Sequence, residues 1–323
     1  PAGMDRSGRP GNVFTHGAVV DPGALPTSPI VTWRSESWLA PFGPEGVDAA
    51  RLHRDTLEAP DLTDALNEFL RGGEVWRPGV LGVMLDALRA RRRGGPSLVV
   101  VCHDTDDAAS WLQCLVAAAS PRTAARLAFS TLEPKGGEGR GSGSLFDVVC
   151  VLRDEVQPES LRDRYVIDTA EDPTLGVRGG EPHATGLGLP IPASLWSELF
   201  IEAYSVADDV GPLQTRLGEL SARIPGLDAA DPAWWLVADA VLSGSVDIDA
   251  EGQQIMATSA PDGVEAAPDV AAAVVAALVG VLGDATQERW DALAHMRGAS
   301  PYVRRLATTA YLLSALDDPA WWA

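Results

Sequence analysis

Cysteine is scarce in this chain, with three in 323 residues at Cys102, Cys114 and Cys150. Their spacing fits no zinc pattern, and an odd number set among valines reads as reduced, buried thiols of a cytoplasmic protein rather than a disulfide framework. Long apolar runs are missing too. The longest, Val270 to Leu282, is rich in alanine and covers 13 residues, whereas a membrane-crossing helix needs roughly 20. No basic segment followed by an apolar run and a cleavage site opens the chain, so no secretory signal is expected. Between Arg223 and Arg289 there is no basic residue at all.

Several motifs of catalysis are also absent. The five histidines, His16, His53, His103, His183 and His295, include no His-x-x-x-His pair, so no metal site is expected. The glycine-rich stretch from Gly136 to Gly143 has no Gly-Lys-Ser/Thr ending and leads toward a strand rather than a helix. It reads as a flexible surface connection, not a phosphate loop. No Gly-x-Ser-x-Gly elbow presents a serine. No cofactor is implied.

What is present is acid. The net charge is −20, with 6 basic and 19 acidic residues from position 191 onward, against 19 basic and 26 acidic before it. Such a balance repels nucleic-acid phosphates, and it favours solubility or a basic protein partner. The acidic second half is therefore expected to offer one docking surface, its field uniform in sign across the base-free stretch.

The hydrophobic pattern changes character along the chain. Val13–Val20 reads as a strand entered from the turn Arg9-Pro10-Gly11-Asn12, and helical patterns follow near 45–57 and 61–71. Leu81, Met84, Leu85 and Leu88 form one helical stripe. Arg91, Arg92 and Arg93 then read as a solvated helix end, favoured there by the helix dipole. Leu98–Cys102 is a continuous apolar run, the signature of a strand buried on both faces. A helix capped among Asp104–Asp107 and a short one from Ser120-Pro121 lead to strands at 127–132, 146–152 and 165–167, which argues for parallel pairing with crossover helices. From Pro190 the strands largely vanish, and helices are expected at 193–209, 211–223, 232–243, 268–282, 285–296 and 301–316. The alternating acids Asp247-Ile248-Asp249-Ala250-Glu251-Gly252 read as a turn in a hairpin. Asp231-Pro-Ala-Trp-Trp recurs from Asp318, each Asp set to cap a helix that starts on proline. The expected architecture is an α/β domain over 1–170, a Gly/Pro-rich linker over 171–189 and an all-α domain over 190–323.

Two groups of residues stand out. At the expected C-terminal strand ends, where α/β sheets place their sites, lie Asp104 and Ser130, with His16 as a third member; serine, histidine and acid are the raw material of nucleophilic catalysis. The loop from Thr32 to Gly43 carries Trp33, Arg34, Trp38 and Phe42, the residue types that dominate protein–protein contacts.

These motifs gather into a resemblance. Ser7 to His16 with its Arg9-Pro10-Gly11-Asn12 turn, Trp33-Arg34-Ser35 with Trp38-Leu39 and Pro41 to Pro44, and Phe129-Ser130-Thr131 with Glu133 resemble the N-terminal and middle regions of actinobacterial GTPase-associated proteins. The resemblance covers roughly residues 5–170. It implies a component of a predicted conflict or defence system, encoded beside small GTPases and binding a GTPase or another system protein. It also implies a truncated start, because family members carry sequence before the Arg9 turn. It supplies no catalytic residues. The expected function is thus a non-enzymatic adaptor that uses neither nucleic acid nor membrane, its oligomeric state open. The alternative is a small-molecule or nucleotide-handling α/β enzyme using His16, Asp104 and Ser130.

Overall fold

A computed structural model describes residues 28–35, 38, 42–50, 60–72, 75–133, 145–227, 230–244, 248–282 and 299–317. The expected strand at 13–20, the Arg9–Asn12 turn, His16, the helix at 285–296 and the second Asp-Pro-Ala-Trp-Trp copy lie outside the described residues.

The first half is α/β. Helices α1 (Gly43–Ala49), α2 (Thr63–Arg71) and α3 (Arg77–Arg92) precede strand β1 (Leu98–Cys102). Then come α4 (Thr105–Ala117), α5 (Pro121–Arg126), β2 (Phe129–Ser130), β3 (Val148–Leu152) and β4 (Tyr165–Asp168). The strands form one sheet in the order β2-β3-β1-β4, and every pairing is parallel. β1 is central, which explains its unbroken Leu-Val-Val-Val-Cys: both of its faces meet protein. One face, with Leu98, Val100 and Cys102, joins the main core, and Val99 and Val101 join a smaller cluster with Val149, Val151, Leu161 and Val166.

The second half is helical: α6 (Leu195–Ala207), α7 (Val210–Arg223), α8 (Trp234–Ser243), α9 (Ala250–Thr258), α10 (Pro268–Leu282) and α11 (Pro301–Asp317). The acids Asp249 and Glu251 do not sit in a hairpin. Asp249 caps α9 by accepting from the Gly252 N–H at 3.0 Å, and a Cβ on Gly252 would lie 1.9 Å from Ile248 Cγ2. Glycine at that position lets the first turn of α9 close on its own entry residue.

One continuous core links the two halves, running from Ile30 through Val303. Helix α3 is its axis. Every residue from Val80 to Arg89 is buried, so the stripe seen in the sequence is only one side of a helix covered all round. It packs on α6 so closely that a Cβ on Gly82 would lie 2.7 Å from the Ile201 side chain.

Two polar residues on α3 face that packing. Asp86, 1% exposed, accepts from the Ser194 N–H (2.8 Å), the Ser197 N–H (3.4 Å), the Ser197 hydroxyl (2.6 Å) and the Ser194 hydroxyl. His183 Nε2 adds a fifth contact at 2.9 Å. Because His183 Nδ1 accepts from the Gly176 N–H at 2.8 Å, its proton sits on Nε2 and is donated to Asp86. The segment 171–189, expected as a linker, therefore delivers a buried histidine to the core; bridges Thr174–Ala184 and His183–Ile191 hold it in shape. One turn further on, Arg89 reaches Asp231 (3.2 Å) and Glu251 (3.7 Å). The arginines at the end of α3 are less free than the dipole argument suggests: Arg93 pairs with Asp231 at 3.2 Å and Arg91 with Asp147 at 3.5 Å.

Cys102, Cys114 and Cys150 are free and buried. The neighbouring Cys150 and then burial push the Cys102 thiol far up, and burial does the same for Cys114. Thiolate is the reactive form. A thiol reagent at pH 8 is therefore expected to find no reactive group in the folded protein and all three after unfolding; rapid labelling of native protein would show that the core opens.

Candidate functional site

The C-terminal ends of the parallel strands carry the polar loops of the α/β half. Asp104, expected there, caps α4: its Oδ1 accepts from the Asp106 and Asp107 N–H groups, both at 2.8 Å. Ser130 donates its hydroxyl to the Leu132 carbonyl at 3.0 Å. Both residues serve local backbone, and no hydrogen bond joins them.

The aromatic loop is more productive. Residues Pro29–Thr32 form a 3-10 turn packed on α4, with Ile30 and Val31 buried and Gln113 Nε2 donating to the Ile30 carbonyl at 3.2 Å. Next, Arg34 takes the left-handed conformation (φ 55°), which a residue with a Cβ adopts only when its surroundings hold it there. The holder is Asp106. Arg34 Nε donates to its Oδ1 at 2.6 Å and the guanidinium's second nitrogen to its Oδ2 at 2.5 Å, a forked pair, while Trp33 Nε1 donates to the same Oδ1 at 2.9 Å. Trp38 closes back through Nε1 to the Thr32 carbonyl at 2.7 Å.

These contacts frame a cavity of about 750 Å³ lined by Ile30, Trp33, Arg34, Trp38, Phe129 and Thr131, among others. The loop supplies one wall and the end of β2 the other. The structure thus brings together Trp33, Arg34 and Trp38 of the residues singled out in the sequence. Phe42 does not line the cavity; it stands 77% exposed before α1. Sequence reasoning missed Asp106, which looked like one more cap residue, and the Phe129–Thr131 wall, visible only as a part of the family resemblance.

The Trp33 indole does most to hold the Asp106 carboxyl below the usual carboxylate range; desolvation opposes this and Arg34 adds to it. A depressed value means that the contact is present at neutral pH and lost only as pH falls through it. Indole fluorescence is expected to stay flat from pH 7 to about pH 5 and to change below about pH 4, and an Asp106→Asn variant should lack that late component. A change centred near pH 6 would contradict the latch.

The helical half carries its acids differently from the expectation of a uniform field. Asp231 faces Arg89 and Arg93, Asp239 faces Arg216, Asp249 and Glu251 share Arg178, Glu265 faces Arg305, and Asp269 faces Arg223. All of these arginines come from outside the base-free stretch. Among the described residues no helix is long and apolar enough to cross a membrane, and no group of acidic, histidine or cysteine side chains could hold a metal ion.

Residues 66–171 match the family described as GTPase-associated protein 1, middle domain, so the resemblance to these proteins stands for the segment from α2 past β4. Two relatives, from two strains of Mycolicibacterium smegmatis, are 32% identical over 332 residues and cover 99% of this chain. Both are provisionally named ESX-1 scaffolding and assembly protein SaeB. The chain spans 39% of the length of these relatives. No solved structure matches it.

Proposed function

We propose that this chain is a non-enzymatic adaptor or scaffold component, acting in the cytoplasm, that seats a partner protein at the cavity between the Trp33–Trp38 loop and β2. The observation that carries this reading is the cavity itself: two tryptophans and a phenylalanine line an open space, and a forked Arg34–Asp106 pair holds the loop in a strained conformation. Rigid aromatic walls of this kind provide buried contact area at little conformational expense, and they are where binding energy concentrates. The scaffolding name of the two relatives supports the same reading. The family resemblance makes a small GTPase, or another component of the same conflict or defence system, the partner to test. The acidic helical half backs the cavity-bearing half through α3 and α6 and is the weaker docking candidate, because most of its described acids already face arginines.

The test is direct titration of the chain with a small GTPase encoded in its gene neighbourhood, followed by calorimetry. Trp38→Ala is expected to weaken the complex by about 2 kcal/mol, roughly thirtyfold, and to leave the melting temperature almost unchanged. Equal affinity of the variant and the parent would remove the cavity from the interface.

A further inference from the structure

We infer that the N-terminal end of the sheet, where α3 and α5 finish, is a second docking surface and takes an acidic, carboxylate-bearing segment of a protein partner. This inference goes beyond the cavity reading and does not depend on it.

The sequence supplies the charges and the fold gathers them. Arg91 and Arg92 end α3, Arg93 is its C-cap, and Arg126 ends α5. At each of these helix ends the dipole favours a cation. The parallel sheet then brings the two ends together. α5 leads through Leu127 and Ala128 into β2, and Asp147 stands just before the neighbouring β3. The Ala128 N–H donates to the Asp147 carboxylate at 3.1 Å, and Arg91 Nε approaches the same carboxylate at 3.5 Å. Asp147 is thus the point where the end of α3 meets the entry to β2.

The acids at this end are already committed. Asp147 uses Oδ2 for Ala128 and Oδ1 for Arg91. Asp231 uses Oδ1 for the Ala233 N–H and Arg89, and Oδ2 for Arg93. Arg92 and Arg126 are left over. Both are exposed, and among the described residues neither guanidinium has a hydrogen bond or an ion pair. The two also feel each other. The surrounding protein strips water from the Arg92 head and lowers its pKa; Asp147 opposes that shift, Arg126 adds to it, and Asp231 opposes it again. Two neighbouring cations without a carboxylate of their own carry a repulsion that an incoming carboxylate relieves.

The contrast between local and overall charge selects the occupant. The chain carries a net −20, so an anion is repelled at a distance, and the surplus of arginine dominates only within a Debye length of roughly 8 Å. A long polyanion such as nucleic acid, or an anionic membrane, meets the field of the whole chain. A short acidic segment of a folded protein meets the arginines alone, and their planar fork matches its carboxylates. A scaffold that joins two proteins needs a second surface of this kind. Arg126 precedes β2, whereas Thr131 of the cavity follows it.

The experiment titrates the whole chain with a labelled synthetic peptide of alternating glutamate and alanine, and with a twin carrying glutamine in place of glutamate. Anisotropy is expected to show binding of the glutamate peptide that weakens as salt is added, and about tenfold weaker binding of the twin. Arg92→Gln and Arg126→Gln should each weaken the glutamate peptide about tenfold, the loss of one charge-assisted hydrogen bond. Arg304→Gln makes the same change of charge at an exposed position of α11 and should leave the affinity as it was. Neither Arg92→Gln nor Arg126→Gln takes a partner from a carboxylate, so the melting temperature should hold; if one variant fails to fold, the other decides. Equal affinity of all three variants would mean that the peptide binds elsewhere and overturn the inference, as would no binding of the glutamate peptide. Tighter binding of a duplex oligonucleotide through the same two arginines would assign the patch to nucleic acid and overturn it as well. Loss of the peptide with Trp38→Ala would place it in the cavity, leaving the adaptor reading standing and sinking the second surface. A GTPase complex indifferent to Trp38→Ala would sink the cavity reading and leave the peptide result untouched.

Discussion

Replacing Asp86 with alanine is expected to lower the stability of the folded chain by about 3–5 kcal/mol. The carboxylate is 1% exposed and serves five donors, from Ser194, Ser197 and His183. Removing it strands all of them in a dry site between α3 and α6, where each unpaired group retains its desolvation penalty. Asp86→Asn should recover little, because its amide nitrogen would turn N–H against N–H. His183→Ala should be milder, since it removes one contact and leaves the four serine donors in place. Urea unfolding of the three variants checks this ordering; a loss below about 1 kcal/mol for Asp86→Ala would mean that water reaches the site. The three thiols supply an independent reading, because loosening between α3 and α6 should expose Cys102 and Cys114 to reagent before global unfolding.

The second large effect is expected at Arg89, one helical turn beyond Asp86. Arg89 is 4% exposed, and its guanidinium lies 3.2 Å from Asp231, which also accepts from the Ala233 N–H at the entry to α8. Arg89→Leu leaves a half-neutralised carboxylate against α3, with the more exposed Arg93 as its remaining cation. The loss should be about 2–4 kcal/mol, toward the low end for a buried pair because Arg93 stays. Arg89→Leu combined with Asp231→Leu should cost less than the sum of the two single changes, and the shortfall measures their coupling. A strictly additive pair would show that the contact contributes nothing beyond its separate residues. Together Asp86 and Arg89 make α3 the element on which the α/β half and the helical half are joined.

Neither of these residues was legible in the sequence, and the reason is physical. Local patterns report local physics. The apolar run Leu98–Cys102 announces a buried central strand because a strand covered on both faces needs no alternation; the stripe Leu81–Leu88 announces a helix for a similar reason. A buried carboxylate satisfied by Ser194, Ser197 and His183 leaves no such trace, since its partners lie about a hundred positions away. The segment 171–189 shows the same blindness. Its glycines and prolines suggest a linker, but one histidine at its centre ties it to α3. The acids near Asp249 misled through their alternation, which suits a hairpin as well as a helix cap followed by a first-turn Glu251.

The candidate site was half visible. Trp33, Arg34 and Trp38 stood out by residue type, and three of the four marked loop residues do line one cavity. Asp106 could not be told from the other acids of a capping run, because what distinguishes it is a forked contact across more than seventy residues. Phe129 and Thr131 acquire meaning only from the fold, which sets them with the loop around one cavity. The base-free stretch illustrates the converse: a one-sided run of charge in sequence need not be a one-sided field once arginines from elsewhere fold over it.

Hydrogen exchange of the chain alone and in complex with the small GTPase tests the central claim most directly. The account predicts that added protection on binding falls on residues 29–35 and 129–133, the two walls of the cavity, with the helices from α6 to α10 unchanged. Protection confined to those helices, with both cavity walls exchanging as in the free chain, would contradict it.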